Sequence, residues 1–158
     1  MGITNFTGDR RLNRSCSHTL NHLPLRVSEY MATDIVIFRQ DQSIEEVIDT
    51  LIHNGISGGP VVDDSGKLVG IITEGDCIKR VTKLPYYKLP LMSESIKSHM
   101  TSNVQTIEGN MDIFDVANKF LNSKRRRFPI VERGKLIGVI TQKDILKAVR
   151  RLKAYNYK

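Results

Sequence analysis

Apolar residues at Ile44, Val47, Ile48, Leu51 and Ile52 recur at spacings of three and four, which predicts a helix with one inward stripe. Ser43 and Glu46 have the spacing of a capping box at its start, and Asn54-Gly55 end it. Short apolar runs flank this helix: DIVIF (34–38), GGPVVD (58–63) and KLVGIIT (67–73), the last two joined by the turn residues DDSG. A further helix opens at Thr73, so the predicted order is β-α-β-β-α. The same order follows downstream. It runs through strand NVQTI (103–107), a helix capped by Asp112, strands FPIVE (128–132) and KLIGVI (135–140), and a helix from Thr141. The middle helix of this second set turns Ile113, Val116, Ala117, Phe120 and Leu121 inward.

The two sets are copies. GIITEGDCI (70–78) and GVITQKDIL (138–146) agree position by position, and an offset of 69 sets Met31 on Met100, Ile44 on Ile113 and Pro60 on Pro129. After one residue is lost in a turn, an offset of 68 sets Thr73 on Thr141 and Asp76 on Asp144. The unit is too long for a solenoid repeat. One copy alone would leave an apolar sheet face open, and pairing two copies closes it. The expected fold is therefore α/β of the α+β type: two β-α-β-β-α repeats packed through their sheets with pseudo-two-fold symmetry. The expected organisation is a mobile tail (1–25), repeat one (26–82), a linker (83–92) that contains KLPYYKLPLM, repeat two (93–150) and a basic tail (151–158). RVSEYM (26–31) is expected to form a short helix leading into repeat one.

With 158 residues and 40% apolar content the chain can bury a core. It shows neither an apolar run of spanning length nor a secretory leader, and Phe6 occupies the place where a myristoylation signal needs Ser or Thr. Two cysteines suggest no disulfide framework, so a cytoplasmic location and no membrane partner are expected. Charge is unevenly spread: residues 28–82 carry −6 and residues 93–158 carry +8. An acidic partner for the second half follows, either a polyanion or a phosphate-bearing small molecule.

The candidate chemistry lies in few places. Thr141 with Asp144, and Thr73 with Asp76, have capping-box spacing, which accounts for them structurally. The same turn could also present backbone N–H groups and a hydroxyl to a phosphate and a carboxylate to ribose hydroxyls. Lys124 and Arg125 to Arg127 precede a buried strand as either a solvated loop or phosphate-reading guanidinium forks. Cys16, His18 and His22 fall short of the four ligands of a structural zinc site, and a polar tail is the better account. His53 and His99 have no acid or nucleophile that spacing brings to them. No nucleophile elbow, P-loop or catalytic carboxylate pair is present, so catalytic residues are not expected and the chain is not read as an enzyme.

Through YMATDIVIF…GKLVGIITEGDCI and HMTSNVQTI…GKLIGVITQKDIL each repeat resembles a CBS domain, the family named for cystathionine β-synthase, and the pair resembles a Bateman module. The resemblance covers residues 26–150. It implies a stand-alone regulatory module that binds an adenosine-containing ligand (AMP, ADP, ATP or S-adenosylmethionine) between the repeats, forms a homodimer and signals to a separate target protein. By this resemblance the main site takes ribose and phosphate contacts from Asp144, Thr141, Arg126 and Arg127. The base would then rest near Met31, Thr33, Val36, Ser57 and Pro60. A mirror site would use Asp76 and Thr73 with Met100, Ser102 and Phe128. The first site is expected to take the more highly charged ligand. Two other readings stand beside this one. The basic residues of 145–158, interleaved with Tyr, suit nucleic acid, and the pair could be purely a dimerisation unit.

Overall fold

The computed structural model of the protein describes residues 25–86 and 93–156. Most of the N-terminal segment, including Cys16, His18 and His22, lies outside the described residues, as do residues 87–92 of the expected linker. Repeat one contributes β1 (Phe38–Arg39), α1 (Ile44–Asn54), β2 (Gly58–Val62), β3 (Leu68–Thr73) and α2 (Glu74–Val81). Repeat two contributes α3 (Ile113–Asn122), β4 (Arg127–Glu132), β5 (Lys135–Thr141) and α4 (Gln142–Asn156). In repeat one β1 runs parallel to β2, and β2 runs antiparallel to β3. In repeat two β4 and β5 pair antiparallel.

The first strand of each repeat is shorter than its apolar run. DIVIF pairs only at its end, Phe38 with Val61. NVQTI is reduced to one parallel bridge between Ile107 and Ile130, held by Ile107 N–H to Pro129 O (3.0 Å) and Val131 N–H to Ile107 O (3.0 Å). RVSEYM forms a single 3-10 turn, Val27–Glu29. The helix starts follow the sequence closely. Ser43 and Glu46 form a reciprocal capping box on α1, Gly55 closes that helix in the left-handed region at φ 60°, and Asp112 caps α3.

The apolar helix stripes are wider than the sheets they cover. Ile44, Val47 and Leu51 are buried, but Ile52 is 75% exposed; in α3 the equivalent Leu121 is 83% exposed. Both residues lie at the edge of their stripe, about 80° round from the first core position, so the sheet beneath does not reach them.

Each core is completed by the other repeat. Val27, from the segment that leads into repeat one, is fully buried among Ile107, Ile113, Val116 and Ile130 of repeat two. Ile96, from the segment that leads into repeat two, is fully buried among Phe38, Ile44, Val47 and Val61 of repeat one. Backbone pairs fix the exchange. Ala32 exchanges hydrogen bonds with Val139 at 2.9 and 3.0 Å, and Ile71 with Thr101 at 2.9 Å both ways. Burying a residue of this size stabilises by about 1.5–3 kcal/mol, so the exchange ties the two repeats together by more than surface contact. The hairpin turns meet where Lys67 faces its own counterpart, Lys135, across the pseudo-two-fold axis.

Candidate functional site

Two of the strands are stripped of side chain where the other repeat crosses them. A Cβ on Gly138 would stand 2.7 Å from Met31 Sδ, and one on Gly70 would stand 2.6 Å from Met100 Sδ. Met31 and Met100 therefore lie over equivalent glycines, and each brings its leading segment against the last helix of the other repeat. The result is two related outer clefts. The first is lined by Glu29, Tyr30, Met31, Ala32, Asp144, Lys147, Arg150, Arg151 and Ala154 and measures about 590 Å³. The second is lined by Asp76, Lys79, Arg80, Lys83, Ser98 and His99 and measures about 360 Å³.

Beside the first cleft lies an inner cavity of about 220 Å³ with walls from both repeats. Repeat one supplies Asp34, Ile35, Val36, Ile56, Gly58, Gly59 and Pro60; repeat two supplies Arg127, Val139 and Thr141. Ala32 lines cavity and cleft alike. A small apolar cavity with a few convergent polar groups has the character of a small-molecule site.

The capping box and the ligand reading of Asp144 are compatible because the carboxylate has two oxygens. Oδ2 accepts from Thr141 N–H at 2.9 Å and from Thr141 Oγ1 at 2.8 Å, which completes the cap. Oδ1 faces Lys147 Nζ at 3.5 Å in the outer cleft. One oxygen is thus committed to the helix start while the other can accept from a ligand hydroxyl. Thr73 and Asp76 repeat the cap at 2.9 and 2.8 Å.

Arg127 bridges the repeats: its guanidinium donates to Gly58 O at 2.7 Å and to Ser57 Oγ at 2.5 Å. Gly58 is the residue that matches Arg127 in the duplication, so a large side chain on one copy crosses the bare backbone of the other. The charge at the cavity wall is held by two neutral acceptors and keeps its attraction for an anion.

Of the residues assigned to the main site, Val36, Pro60, Arg127 and Thr141 line the inner cavity, and Met31 and Asp144 line the outer cleft. Ser57 takes part as the acceptor for Arg127. Thr33 and Arg126 are exposed and line neither space; between the repeats it is Arg127 that reaches the other copy. In the mirror site Asp76 lines the second cleft, Thr73 caps α2, and Met100 covers Gly70. Ser102 is exposed and outside that lining. Phe128 is 1% exposed, with its ring centroid 4.7 Å from that of Phe120, and it packs in the core of repeat two. The inner cavity also takes Ala32, Ile35 and Gly59, and the cleft takes Lys147, Arg150 and Arg151, none of which stood out as a site residue. Their signal was indirect: the small residues GG at 58–59 and a cationic helix face that is legible only once α4 is placed.

The second cleft carries an ion-pair network of its own. Glu94 pairs with Arg80 and accepts a hydrogen bond from His99 Nε2 at 3.0 Å. The His99 hydrogen bond, followed by that of Arg80, holds the Glu94 carboxyl below the ordinary carboxylate range. Among the described residues there is no cluster of His, Cys, Asp and Glu able to hold a metal ion, and no helix is long and apolar enough to cross a membrane.

A duplicated module with a small, largely apolar cavity walled by both copies is the class of protein these features define. The CBS domain family model matches residues 27–83 and 94–151, and the chain belongs to that family. CBSX2 of Arabidopsis thaliana shares the fold with a TM-score of 0.71 at 24% identity, over 82% of this chain and 99% of that one. The CBS domain pair of MJ0100, solved in complex with 5′-methylthioadenosine and S-adenosyl-L-methionine, matches with a TM-score of 0.67 at 27% identity, over 82% and 99% of the two chains. Uncharacterized protein MJ1225 of Methanocaldococcus jannaschii is 29% identical over 83% of this chain. The chain spans 45% of that relative and 15% of the A-adding tRNA nucleotidyltransferase of Aquifex aeolicus, which is 27% identical over 82% of this chain.

Proposed function

We propose that the chain is a regulatory module that binds an adenosine-containing ligand between its repeats and reports occupancy to a separate protein partner. The observation that carries this reading is the inner cavity, whose apolar walls come from both repeats and which opens beside Thr141 and Asp144. A base lodged between Val36, Ile56 and Val139 would touch both repeats at once. Its ribose would meet Asp144 Oδ1, and phosphate would meet the Thr141 turn and Arg127. Binding would then stabilise one angle between the repeats, provided that affinity differs between two states. The likeness to the MJ0100 pair, whose structure holds two adenosine compounds, supports the ligand class.

The reading includes a homodimer. Ile52 and Leu121 are equivalent in the duplication, as are Ile78 and Leu146, and these four helix residues are 75%, 83%, 62% and 69% exposed. A second copy, bearing the same paired apolar positions, is a self-complementary cover for them.

Calorimetry against AMP, ADP, ATP and S-adenosylmethionine tests the reading. Saturable binding of at least one ligand, weakened tenfold or more in Asp144→Ala, is expected. A folded protein that binds none of them at millimolar concentration would overturn it.

A further inference from the structure

In each repeat two helices pack side by side, α1 beside α2 and α3 beside α4. Each pair carries exposed apolar positions, Ile52 and Ile78 in repeat one, Leu121 and Leu146 in repeat two. On a helix surface the neighbours of such a position stand three and four residues away. Those neighbours have diverged between the copies. Around the Ile48–Ile52 stripe and Ile78 they include three carboxylates, Glu45, Asp49 and Glu74, and no cation. The matching residues of repeat two are uncharged: Phe114, Asn118 and Gln142. Beside Leu146 stand instead two cations, Lys143 and Arg150, where repeat one has Gly75 and Thr82. All five charged residues are exposed, and none forms an ion pair with another described residue.

The contrast extends along the helices. α1 and α2 hold five acidic residues against two basic ones, whereas α3 and α4 hold six basic against two acidic. One helix pair is therefore an apolar patch with an acidic rim, and the other an apolar patch with a basic rim. A two-fold dimer that covers both patches can be built in two ways. Like pairs can meet, so that acid faces acid and base faces base. Alternatively, α1 and α2 of each copy meet α3 and α4 of the other. The same apolar positions are covered either way, so their burial does not choose between the two. Charge does: rims of opposite sign attract and rims of like sign repel, over a range of about 10 Å at 0.1 M salt.

We infer that two copies associate head to tail, with the acidic helix pair α1/α2 of each against the basic helix pair α3/α4 of the other. The inference rests on the reading above that the chain forms a homodimer, and adds what orients it. Two equivalent contacts result, each joining unlike repeats, with the Ile52 and Ile78 patch of one copy on the Leu121 and Leu146 patch of the other. The sign difference that the duplication introduced is then neutralised across the dimer.

Sedimentation of the full chain without ligand, between about 50 and 500 mM NaCl, tests the orientation. The dissociation constant of the dimer should rise about tenfold over this range as screening removes the attraction. Glu45→Lys/Asp49→Lys makes the repeat-one rim basic and should weaken the dimer about tenfold; Lys143→Glu/Arg150→Glu makes the other rim acidic and should do the same. Combining all four changes in one chain exchanges the two signs and should recover most of the loss. Thermal melting checks that each variant folds. A like-to-like dimer behaves oppositely, because salt and Glu45→Lys/Asp49→Lys both relieve repulsion between acidic rims and tighten it. That result would overturn the orientation and leave the homodimer standing. Affinity independent of salt, a rim change without effect, or a quadruple variant no tighter than either double variant would also overturn it. A chain that sediments as a monomer at every salt concentration leaves the patches to another occupant, and the homodimer and its orientation fall together.

Discussion

In repeat one the aromatic ring at the base of the sheet comes from the first strand, as Phe38, and the β2 residue against which that ring lies is Gly59. In repeat two the first strand supplies Ile107 and β4 supplies the ring, as Phe128. The two cores thus hold similar volume with the bulk on opposite members of the strand pair. The consequence lies at the junction of the repeats. Where repeat one offers Ile56, Gly58 and Gly59 to the inner cavity, the matching residues of repeat two are Arg125, Arg127 and Phe128. Duplication has kept the core and the caps while making the facing surfaces unlike, and the open space lies on the side where the small residues are.

Moving the ring within repeat one should therefore give the largest effect. A Cβ at Gly59 would already stand 2.8 Å from Val36 O and 3.0 Å from the Phe38 ring, so Gly59→Phe is expected to cost about 3 kcal/mol or more. It should also fill the cavity and abolish ligand binding. Adding Phe38→Ile recreates the arrangement of repeat two and should restore part of the loss, a coupling of about 0.5–3 kcal/mol in a denaturation double-mutant cycle. Strict additivity of the two changes would show that the rings do not trade places in this way.

The crossings at the two outer clefts offer a milder contrast. Gly138→Ala would set a Cβ 2.8 Å from Ala32 O, and Gly70→Ala would set one 3.0 Å from Thr101 O. Each methyl presses on backbone as well as on a methionine, and a cost of about 1–3 kcal/mol is expected from either, read as a fall in Tm. Gly138→Ala should be the larger because its carbonyl neighbour is nearer. Equal shifts would mean that both leading segments yield equally.

The residues behind these contrasts were unevenly visible in the sequence. Capping pairs at Ser43 and Thr73 and the helix stripes are local patterns, and the structure places them as their spacing requires. Val27 and Ile96 are equally apolar, but periodicity says that a residue is buried and not which repeat buries it. Phe128 was ambiguous for the same reason, since a ring before a core strand can face a ligand or a neighbour, and Phe120 decided the matter only in three dimensions. Ile52 and Leu121 show the opposite limit. Their helices are amphipathic over a wider arc than one sheet can cover, which leaves matched apolar positions outside both cores. Ile52→Glu and Leu121→Glu should each change folding stability by no more than about 0.5 kcal/mol, as exposed positions do, while shifting the sedimentation of the protein toward monomer. A dimer unaffected by either change would place the second copy elsewhere.

The smallest expected effect separates the anchors of the two leading segments. The segment before repeat one is held through Tyr30 against Arg151, whereas at the matching places before repeat two Glu94 and His99 engage each other and Arg80. Leu25 stands where Glu94 does, so the carboxylate of this anchor has no counterpart before repeat one. Because its partners depress the Glu94 pKa in the folded protein, its stabilising contribution is present above the ordinary glutamate value of about 4.3 and is lost as pH falls through the lower folded value. Glu94→Gln should accordingly lower Tm slightly at neutral pH, and the gap from wild type should close as the solution is made more acidic than that. Arg151→Ala, which removes the guanidinium that lies over Tyr30 on the other side, should lower Tm by an amount that does not close over the same acidic range. A Glu94→Gln gap that persisted unchanged at low pH would show that the carboxylate's charge contributes nothing to holding the segment, and the two anchors would then differ in composition alone.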